Sequence, residues 1–457
     1  MDTATRLSYV LFGCGALAAF VARADFDAAL QDYNAGNLDA AHAQFLQLAE
    51  LGDCSSQFNL GAMTLKGQGV PKDRGAGIGW LQAAVSNGCG AQVGDKLPGM
   101  VASLTPEQTS AAAAVLARYG HDALRAQGVV DPSFECPGTT PAVAGDTPTP
   151  DYPRIKGGGA PEAIVLTAIT VGTDGRPRDP QVLLAVPPEG FPASAVEAWL
   201  NSRFTPALRN GAPVESRLVA KLRFVGSSGN LAAAPAFKSA LPQAALGKPP
   251  AEYIVGATGS LDSGLGITAP RAGQMLLDAA RAGNADAQYW IGTQLRAAAA
   301  CHPQADGMVW LRHAAAGGNP AAQVDVAAAL LRGSPTPEQV SAAHGLLVAA
   351  LASGDYYARK HAVALLATSP VTAVRDAKAA LGGALQLLAG EIQSDPQMFE
   401  AVAAAYAANR EYGDAVSQQR VAINKARALG WDTAIMEQRL SAYRGDSAWQ
   451  GDLYAGR

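Results

Sequence analysis

The sequence predicts a multidomain protein in which two α-solenoids, built of helix-pair repeats, flank a small α+β domain with a three-stranded antiparallel sheet. The chain has 457 residues, which is more than one hydrophobic core usually organises. Short segments recur at intervals of 35 or 36 residues in both halves of the chain, and this is the spacing of helix pairs. Between the two halves, apolar and polar residues alternate with the period of β-strands.

The helix-pair repeat is clearest in the second half. The segment Ala251-Glu252-Tyr253 returns as Ala287-Gln288-Tyr289, and the register continues at Ala322 and Ala358, giving intervals of 36, 35 and 36 residues. In the first half, Ser56-Gln57-Phe58 recurs as Ala91-Gln92-Val93 after 35 residues. Units of this length cannot bury their apolar faces alone, so each array is expected to stack into a solenoid with capping helices.

Tryptophan and glycine mark the second helix of a repeat. Trp80 and Trp310 each begin a Trp-Leu pair, and a glycine follows eight residues later, at Gly88 and Gly318. Each glycine is expected to end its helix. The run LGAMTLKGQGVPKD at residues 60–73 resembles the signature of Sel-one-like repeats, which are relatives of tetratricopeptide repeats.

This resemblance is specific in residues 53–92 and 283–323. It is degenerate in residues 250–282 and 340–375, where the Gly-x-Gly turn is missing. The segments 33–41 and 395–428 resemble tetratricopeptide repeats in their turn-and-helix character. The resemblance implies arrays whose surfaces bind proteins or peptides, at residues 25–130 and 250–445, with a tail at 446–457.

The first residues read as an export signal. Arg6 precedes an uncharged apolar run at residues 7–22, and Ala22-Arg23-Ala24 offers a small-x-small cleavage pattern. We therefore expect a signal peptide at residues 1–24, cleavage before Asp25 and a location in the periplasm. An uncleaved anchor and lipidation at Cys14 are the alternatives.

Four of the five cysteines would remain in the exported chain, in a compartment where disulfides persist. They are Cys54, Cys89, Cys136 and Cys301, which allow three complete pairings, and free thiols packed as small hydrophobes are an alternative. Cys54 and Cys89 lie at equivalent places in neighbouring repeats. A direct bridge between them requires the segment around Cys89 to bend, because packed helices lie about 8–10 Å apart.

Composition narrows the class of partner. The formal net charge is −4 and the isoelectric point is about 5.9, so nothing suggests a nucleic-acid partner or an anionic membrane surface. Peripheral association with a membrane stays open.

The centre of the chain has strand periodicity at residues 162–171, 181–186 and 217–225, with a helix at residues 193–202. Asp174-Gly175 supplies a hairpin turn between the first two strands. Segments at residues 131–150 and 227–249 are expected to be linkers, because the first contains a Pro- and Thr-rich run. The first strand is apolar on both faces, so it is either central and covered or packed against a partner.

This module, at residues 151–226, resembles the C-terminal domain of TonB. The resemblance rests on Asp174-Gly175 at the turn, Trp199 before Arg203-Phe204-x-Pro206-Ala207, and Asn210-Gly211 before the last strand. Trp199 and Phe204 are expected to join the helix to the sheet. The resemblance implies that the last strand is an edge that captures an extended segment, with Lys221 and Arg223 outward as gatekeepers or as attraction for an acidic peptide. The predicted partner-binding residues are Ser216, Leu218, Ala220, Leu222 and Phe224.

The sequence offers no motif for catalysis. His302 and His313 are eleven residues apart without acidic residues at ligand spacing. Gly67-x-Gly69 and the triple glycine at residues 157–159 are expected to form turns and not phosphate-binding loops. Tyr289 has the helical spacing of a core residue and not of an aromatic that stacks on a ligand. We therefore expect no enzyme activity, cofactor, metal or small-molecule substrate. An envelope hydrolase would need a site formed only in three dimensions.

The sequence thus predicts a periplasmic scaffold of the cell envelope. It would bind envelope proteins or extended peptide segments through the repeat arrays and a TonB-like docking domain. The alternative is an atypical TonB-type energy transducer, anchored by an uncleaved N-terminal segment. The amino-terminal residue of the purified protein separates the two, since Asp25 supports the scaffold and Met1 the transducer.

Overall fold

The structure, a computed structural model, describes residues 26–130, 137–153, 160–226, 229–298 and 307–454. The predicted signal segment, the triple glycine at 157–159, Cys136, Cys301 and His302 lie outside these residues. Within the described ranges, every helix is too short or too polar to cross a bilayer.

The first array is a stack of antiparallel helices around Phe45, Leu60 and Trp80, all of which are buried. Gly67, at the left-handed φ of 75°, ends α3 and turns the chain toward α4. Where the two helices cross, a Cβ at Gly61 would lie 2.8 Å from Leu81 Cδ2, so the small residue is needed for close packing. The helices of this array are α1 (Phe26–Ala35), α2 (Leu38–Glu50), α3 (Cys54–Lys66), α4 (Arg74–Ser86), α5 (Gly90–Val93), α6 (Leu97–Ala102), α7 (Pro106–Tyr119) and α8 (His121–Ala126).

A disulfide joins Cys54, at the start of α3, to Cys89, just before α5, with a Cα–Cα distance of 5.6 Å. The chain reverses at Gly88, whose φ is 114°. The bend that the sequence required for this bridge is therefore present.

The central domain is an antiparallel sheet with one helix. Its main sheet has the order β4-β3-β8, and the hairpin between β3 and β4 turns at Asp174 and Gly175 as predicted. Trp199 and Phe204 are buried with ring centroids 6.0 Å apart, which confirms their expected role. The elements are β1 (Thr139–Thr140), β2 (Val143–Ala144), β3 (Ala163–Val171), β4 (Pro177–Val186), α9 (Phe191–Leu200), β5 (Phe204–Thr205), β6 (Ala207–Arg209), β7 (Ala212–Val214) and β8 (Ser216–Phe224).

The second array begins earlier than the sequence predicted. Trp310, which is fully buried, confirms the expected core position of the repeat tryptophan. The helices are α10 (Pro235–Ala245), α11 (Pro249–Leu261), α12 (Ala269–Arg281), α13 (Ala285–Ala298), α14 (Gly307–Ala316), α15 (Pro320–Leu330), α16 (Pro337–Ala352), α17 (Tyr356–Thr368), α18 (Ala377–Leu388), α19 (Pro396–Ala408), α20 (Tyr412–Ala428) and α21 (Ala434–Arg444).

Both predicted linkers need correction. In the segment at 131–150, β1 pairs with β6 and β2 pairs with β5, so residues 139–144 belong to the central domain. In the segment at 227–249, α10 packs on α11, with Phe237 fully buried. Apolar side chains in both segments find partners that only the folded chain provides.

Capping residues begin the first helix of four repeats. Asp53, Asn284, Asn319 and Asp355 accept a hydrogen bond from the backbone N–H three residues later, as N-cap residues do. These caps recur with the repeat interval, so they are a second periodic signal in the sequence.

The strand β3 is covered on both faces, as one of the two sequence-based alternatives required. Val165 lies in a cluster with Phe191 and Ala195 of α9. On the other face, Ile164 and Leu166 share a cluster with array residues that include Phe237, Tyr253 and Trp290. The second array therefore packs directly on the central sheet.

The second array also reaches α9 and the first array. Val196 and Leu200 of α9 belong to the large apolar cluster of α15–α21. Leu51 and Val130 of the first array belong to the same cluster as α11–α13. The two arrays and the central domain thus share continuous apolar cores, and the second array contacts the domain from α11 to the end of α20.

Candidate docking site: strand β8 and the seam with the second array

Strand β8 is an edge of the main sheet, as predicted. It pairs with β3 along its whole length, from Ser216 opposite Val171 to Phe224 opposite Ala163. Among the residues that the structure describes, no other strand and no backbone hydrogen bond from another element covers its outer side. Unpaired backbone groups on an edge can bind another extended chain.

The predicted partner-binding residues lie on one face of β8, which is the face toward α9. Leu218, Ala220 and Leu222 pack on the cluster that contains Trp199, and Phe224 is buried against Phe191 with ring centroids 4.8 Å apart. Their side chains are already used inside the domain. Only the backbone of β8, Ser216 included, and the half-buried rims of these side chains are left for a partner strand.

The cationic residues of β8 do not simply face water, and this corrects the prediction for Lys221 and Arg223. Lys221 Nζ lies 3.0 Å from Asp262 Oδ2 in the second array. Arg223 donates to the carbonyl of Gly229 at 2.8 Å and lies 3.7 Å from Glu162. Lys221 thus helps to hold the sheet on the array, and Arg223 holds the segment that leads into it.

The opposite edge of the sheet, β4, is covered by the second array. The Tyr253 hydroxyl donates to the carbonyl of Leu183 at 2.8 Å, and the backbone N–H of Asp179 donates to Gln397 Oε1 at 2.9 Å. Side chains of α11 and α19 thus bond to backbone groups that a neighbouring strand would otherwise take. Protection of this kind prevents an edge from pairing with another chain.

The contact between β4 and the second array is called the seam. A cluster of charges, which was not predicted from the sequence, lies at its centre. The Asp179 carboxylate lies 2.9 Å from Lys360 Nζ and 2.8 Å from His361 Nε2, both on α17. Arg217 of β8 approaches it at 3.8 Å. A second carboxylate, that of Asp395, lies 2.9 Å from the same Lys360 nitrogen. Lys360 and Asp395 are fully buried, so each depends on its partner.

The environment keeps Asp179 ionised. Burial alone would raise its pKa, but His361, Lys360 and Arg217 outweigh burial and hold the pKa of Asp179 well below its usual range. Burial would lower the pKa of Lys360, but Asp395 and Asp179 raise it. The two groups therefore meet as a charged pair.

Asp325 lies at the rim of the same cluster. Burial raises the pKa of Asp325, although Arg296, at 3.6 Å, and Arg217 act against this rise. The hydroxyl of Tyr289 joins the two parts of the cluster, since it lies 2.9 Å from Gln181 and 3.4 Å from Asp325. Tyr289, expected to be a core residue, is buried and also holds β4.

Within the described ranges, no group of three or more His, Cys, Asp or Glu side chains is arranged to hold a metal ion. His313 lies on α14, 3.8 Å from Glu50 of the first array. Burial, with a contribution from Arg312, lowers the pKa of His313 to about 4. This histidine is therefore a neutral contact between the two arrays at pH 7.

Residues 148–225 match the family model of the C-terminal domain of the Gram-negative bacterial TonB protein. The matched segment ends one residue after β8 and leaves both helical arrays outside. No curated protein matches the chain. The central domain is therefore of the TonB C-terminal type, a domain of Gram-negative envelope proteins that functions through contacts with other proteins.

Proposed function

We propose that the protein is a non-enzymatic scaffold of the periplasm, in which β8 captures an extended segment of another envelope protein by strand addition. The observation that carries this proposal is the difference between the two edges of the sheet. The array covers β4 with side-chain hydrogen bonds, whereas β8 keeps its outer backbone groups free of other described elements.

The periplasmic location is supported by two independent features. The disulfide between Cys54 and Cys89 fits an oxidising compartment, and the match to a TonB-type domain fits a Gram-negative envelope. The predicted signal segment at residues 1–24 would deliver the chain there.

The helical arrays would serve the scaffold in different ways. The face of the second array that α11, α13, α17 and α19 form is occupied by the central domain, so this face is not available for a partner protein. Its outer face and the first array remain for other contacts. Assignment of the helix pairs to the Sel-one-like or tetratricopeptide class rests on the sequence resemblance.

The seam favours the scaffold over the energy transducer. A transducer needs a domain that moves on a spacer, but here the array holds the domain through apolar clusters and buried charges. The amino terminus tests this choice, because Asp25 as the first residue of the purified protein would exclude an uncleaved anchor.

Strand addition is tested by photo-cross-linking in cells. A cross-linking amino acid at position 221, on the half-exposed part of β8, should trap a partner, and the same group at the exposed Gln127 should not trap that partner. Leu222→Pro should abolish the adduct, since proline removes a backbone donor and distorts the edge.

The proline variant must keep native circular dichroism before its result is read. Lys221→Ala, which leaves the backbone intact, should weaken capture only mildly. Capture that persists in a natively folded Leu222→Pro protein would place the partner on the helical arrays and not on β8.

A further inference from the structure

Strand β4 lies against the face of the second array that α11, α13 and α17 form, as a bound segment would. Tyr253, Tyr289 and Lys360 occupy the same position in three repeats of the second array. The first two repeats are neighbours, and one further repeat lies between the second and the third. They contact Leu183, Gln181 and Asp179 respectively, at 2.8, 2.9 and 2.9 Å. Three alternate residues of the strand are therefore contacted by one repeat position, in order along the array.

The strongest of these contacts is made at a β-bulge. The pairing of β3 with β4 shifts between Ala168, opposite Gln181, and Thr170, opposite Arg178. Within the bulge, Asp179 has a φ of 52°, a left-handed conformation that aspartate tolerates better than most residues. A bulge of this kind re-aims a side chain, and here it turns the carboxylate of Asp179 toward α17.

The side chains that surround the Asp179 carboxylate form a pocket that is suited to a negative charge. Lys360 and His361 come from the array, Arg217 comes from the domain, and Gln397 accepts from the Asp179 backbone N–H. Lys360 is held in place by Asp395, which also accepts a hydrogen bond from the Tyr356 hydroxyl at 2.9 Å. The pocket therefore keeps its geometry through groups that do not belong to β4.

Outside the pocket, arginines of the central domain also contact the second array near the end of α20. Arg176 and Arg203 both donate to the carbonyl of Leu429, at 2.5 and 3.1 Å, just after the end of α20. Cations at this end of a helix are favoured by its dipole and its free carbonyls. Arg178 lies over the ring of Trp431, 5.5 Å from the centroid.

We propose that this face of the second array, formed by α11, α13, α17 and α19, is a receptor for an extended strand, which recognises the carboxylate of Asp179 and thereby keeps the β4 edge closed. The occupant is the chain's own central domain, and the ligand chemistry is a strand with an aspartate at a bulge and an amide two residues later. Binding of β4 by the array does not depend on whether β8 captures a partner.

Hydrogen exchange of the full chain tests this receptor. Asp179→Gly removes the carboxylate, relieves the left-handed backbone and leaves a small cavity beside Lys360. We expect amide exchange at residues 177–186 and in α17 to rise by about a hundredfold, because buried cations lose their counter-charge. Acetate, titrated to about 0.1 M, should restore protection by filling the cavity, whereas chloride at equal ionic strength should not.

Two variants serve as comparisons. Asp179→Asn keeps the shape and removes the charge, so its exchange should also rise and acetate should not restore it. Asp262→Asn removes another contact between domain and array, but Lys221 is 41% exposed there, so exchange in β4 should hardly change.

Unchanged exchange of β4 in Asp179→Gly would overturn the proposal. So would a rise across the whole chain that acetate does not reverse, since this would mean that Asp179 serves general folding. Neither outcome depends on a partner at β8, so failure here is separable from failure of strand capture.

Discussion

At the scale of single residues, a glutamine at one repeat position makes the same hydrogen bond in two units. Gln57 and Gln288 are buried and donate to the carbonyls of Ala49 and Ala280, eight residues earlier, on the preceding helix. Glu252 occupies this position in the first repeat of the second array. An ionised carboxylate cannot donate, and burial, with a contribution from Asp278, raises the pKa of Glu252 to about 7.

Glu252→Gln should therefore stabilise the protein in a pH-dependent way. The folded-state pKa lies above the ordinary value, so the glutamate's contribution is full below about pH 4.5 and is lost as the pH rises through 7. We expect a gain of about 1–2 kcal/mol at pH 8 and little at pH 4.5, measured by urea denaturation. The reciprocal Gln288→Glu should lose stability as the pH rises, and equal gains at both pH values would contradict the argument.

The residues at the seam show how far sequence reasoning could go. Stacking the repeats correctly aligned Tyr253, Tyr289 and Lys360, and it identified Tyr289 as buried. It could not show that these residues bind a strand, because Asp179 is 182 residues from His361. An isolated aspartate before a proline has no local pattern that marks it as the centre of a charge cluster.

At the scale of elements, the sequence located most of the central domain within one or two residues. The exceptions are the short strands β1, β2 and β5–β7, which were not predicted, and the first half of β4, which begins at Pro177 and not at residue 181. Pro177 and Pro180 interrupt the strand pattern, but a first position and a bulge are the places where a sheet accepts proline. The helix α10 was missed for the same reason, since Pro235 stands at its start and Pro242 within it.

The bridge between α3 and α5 should contribute strongly to the first array. It closes a loop of 35 residues, for which chain entropy predicts about 3–4 kcal/mol. Cys89→Ser should lower the unfolding free energy by about this amount in denaturant titrations. Reductant should destabilise the wild-type protein to the same level and leave the variant unchanged. A variant as stable as the oxidised wild type would show that the bridge does not form in solution.

At the scale of the whole molecule, the predicted order of domains was informative but their arrangement was not. The prediction of two arrays that flank an α+β domain describes the chain order and the fold class. The sequence did not show that the second array packs on the domain. Shared clusters such as that of Leu166, Tyr253 and Trp290 join residues that are far apart in the chain. Sequence periodicity is a local pattern, so it does not predict such contacts.

This shared core makes the central domain and the second array interdependent. Leu166 is fully buried on the face of β3 toward the array, and Val165 is fully buried on the face toward α9. Leu166→Ala should cost about 2–5 kcal/mol and should increase amide exchange in α11 and α13. Val165→Ala is the matched control and should loosen the α9 side first. Array helices that stay protected in Leu166→Ala would show that the two units are energetically separate.

The hydrogen bonds that close β4 also set an order of events during synthesis. They link Asp179 to Gln397, 218 residues later, and Arg176 to Leu429, 253 residues later. Since a chain emerges from its amino-terminal end, the sheet exists with a bare edge while most of its cover is still being made. Contacts at such separations form slowly and expose strand edges to other chains. The nascent protein therefore has a long interval in which it depends on a chaperone or on dilution to remain monomeric.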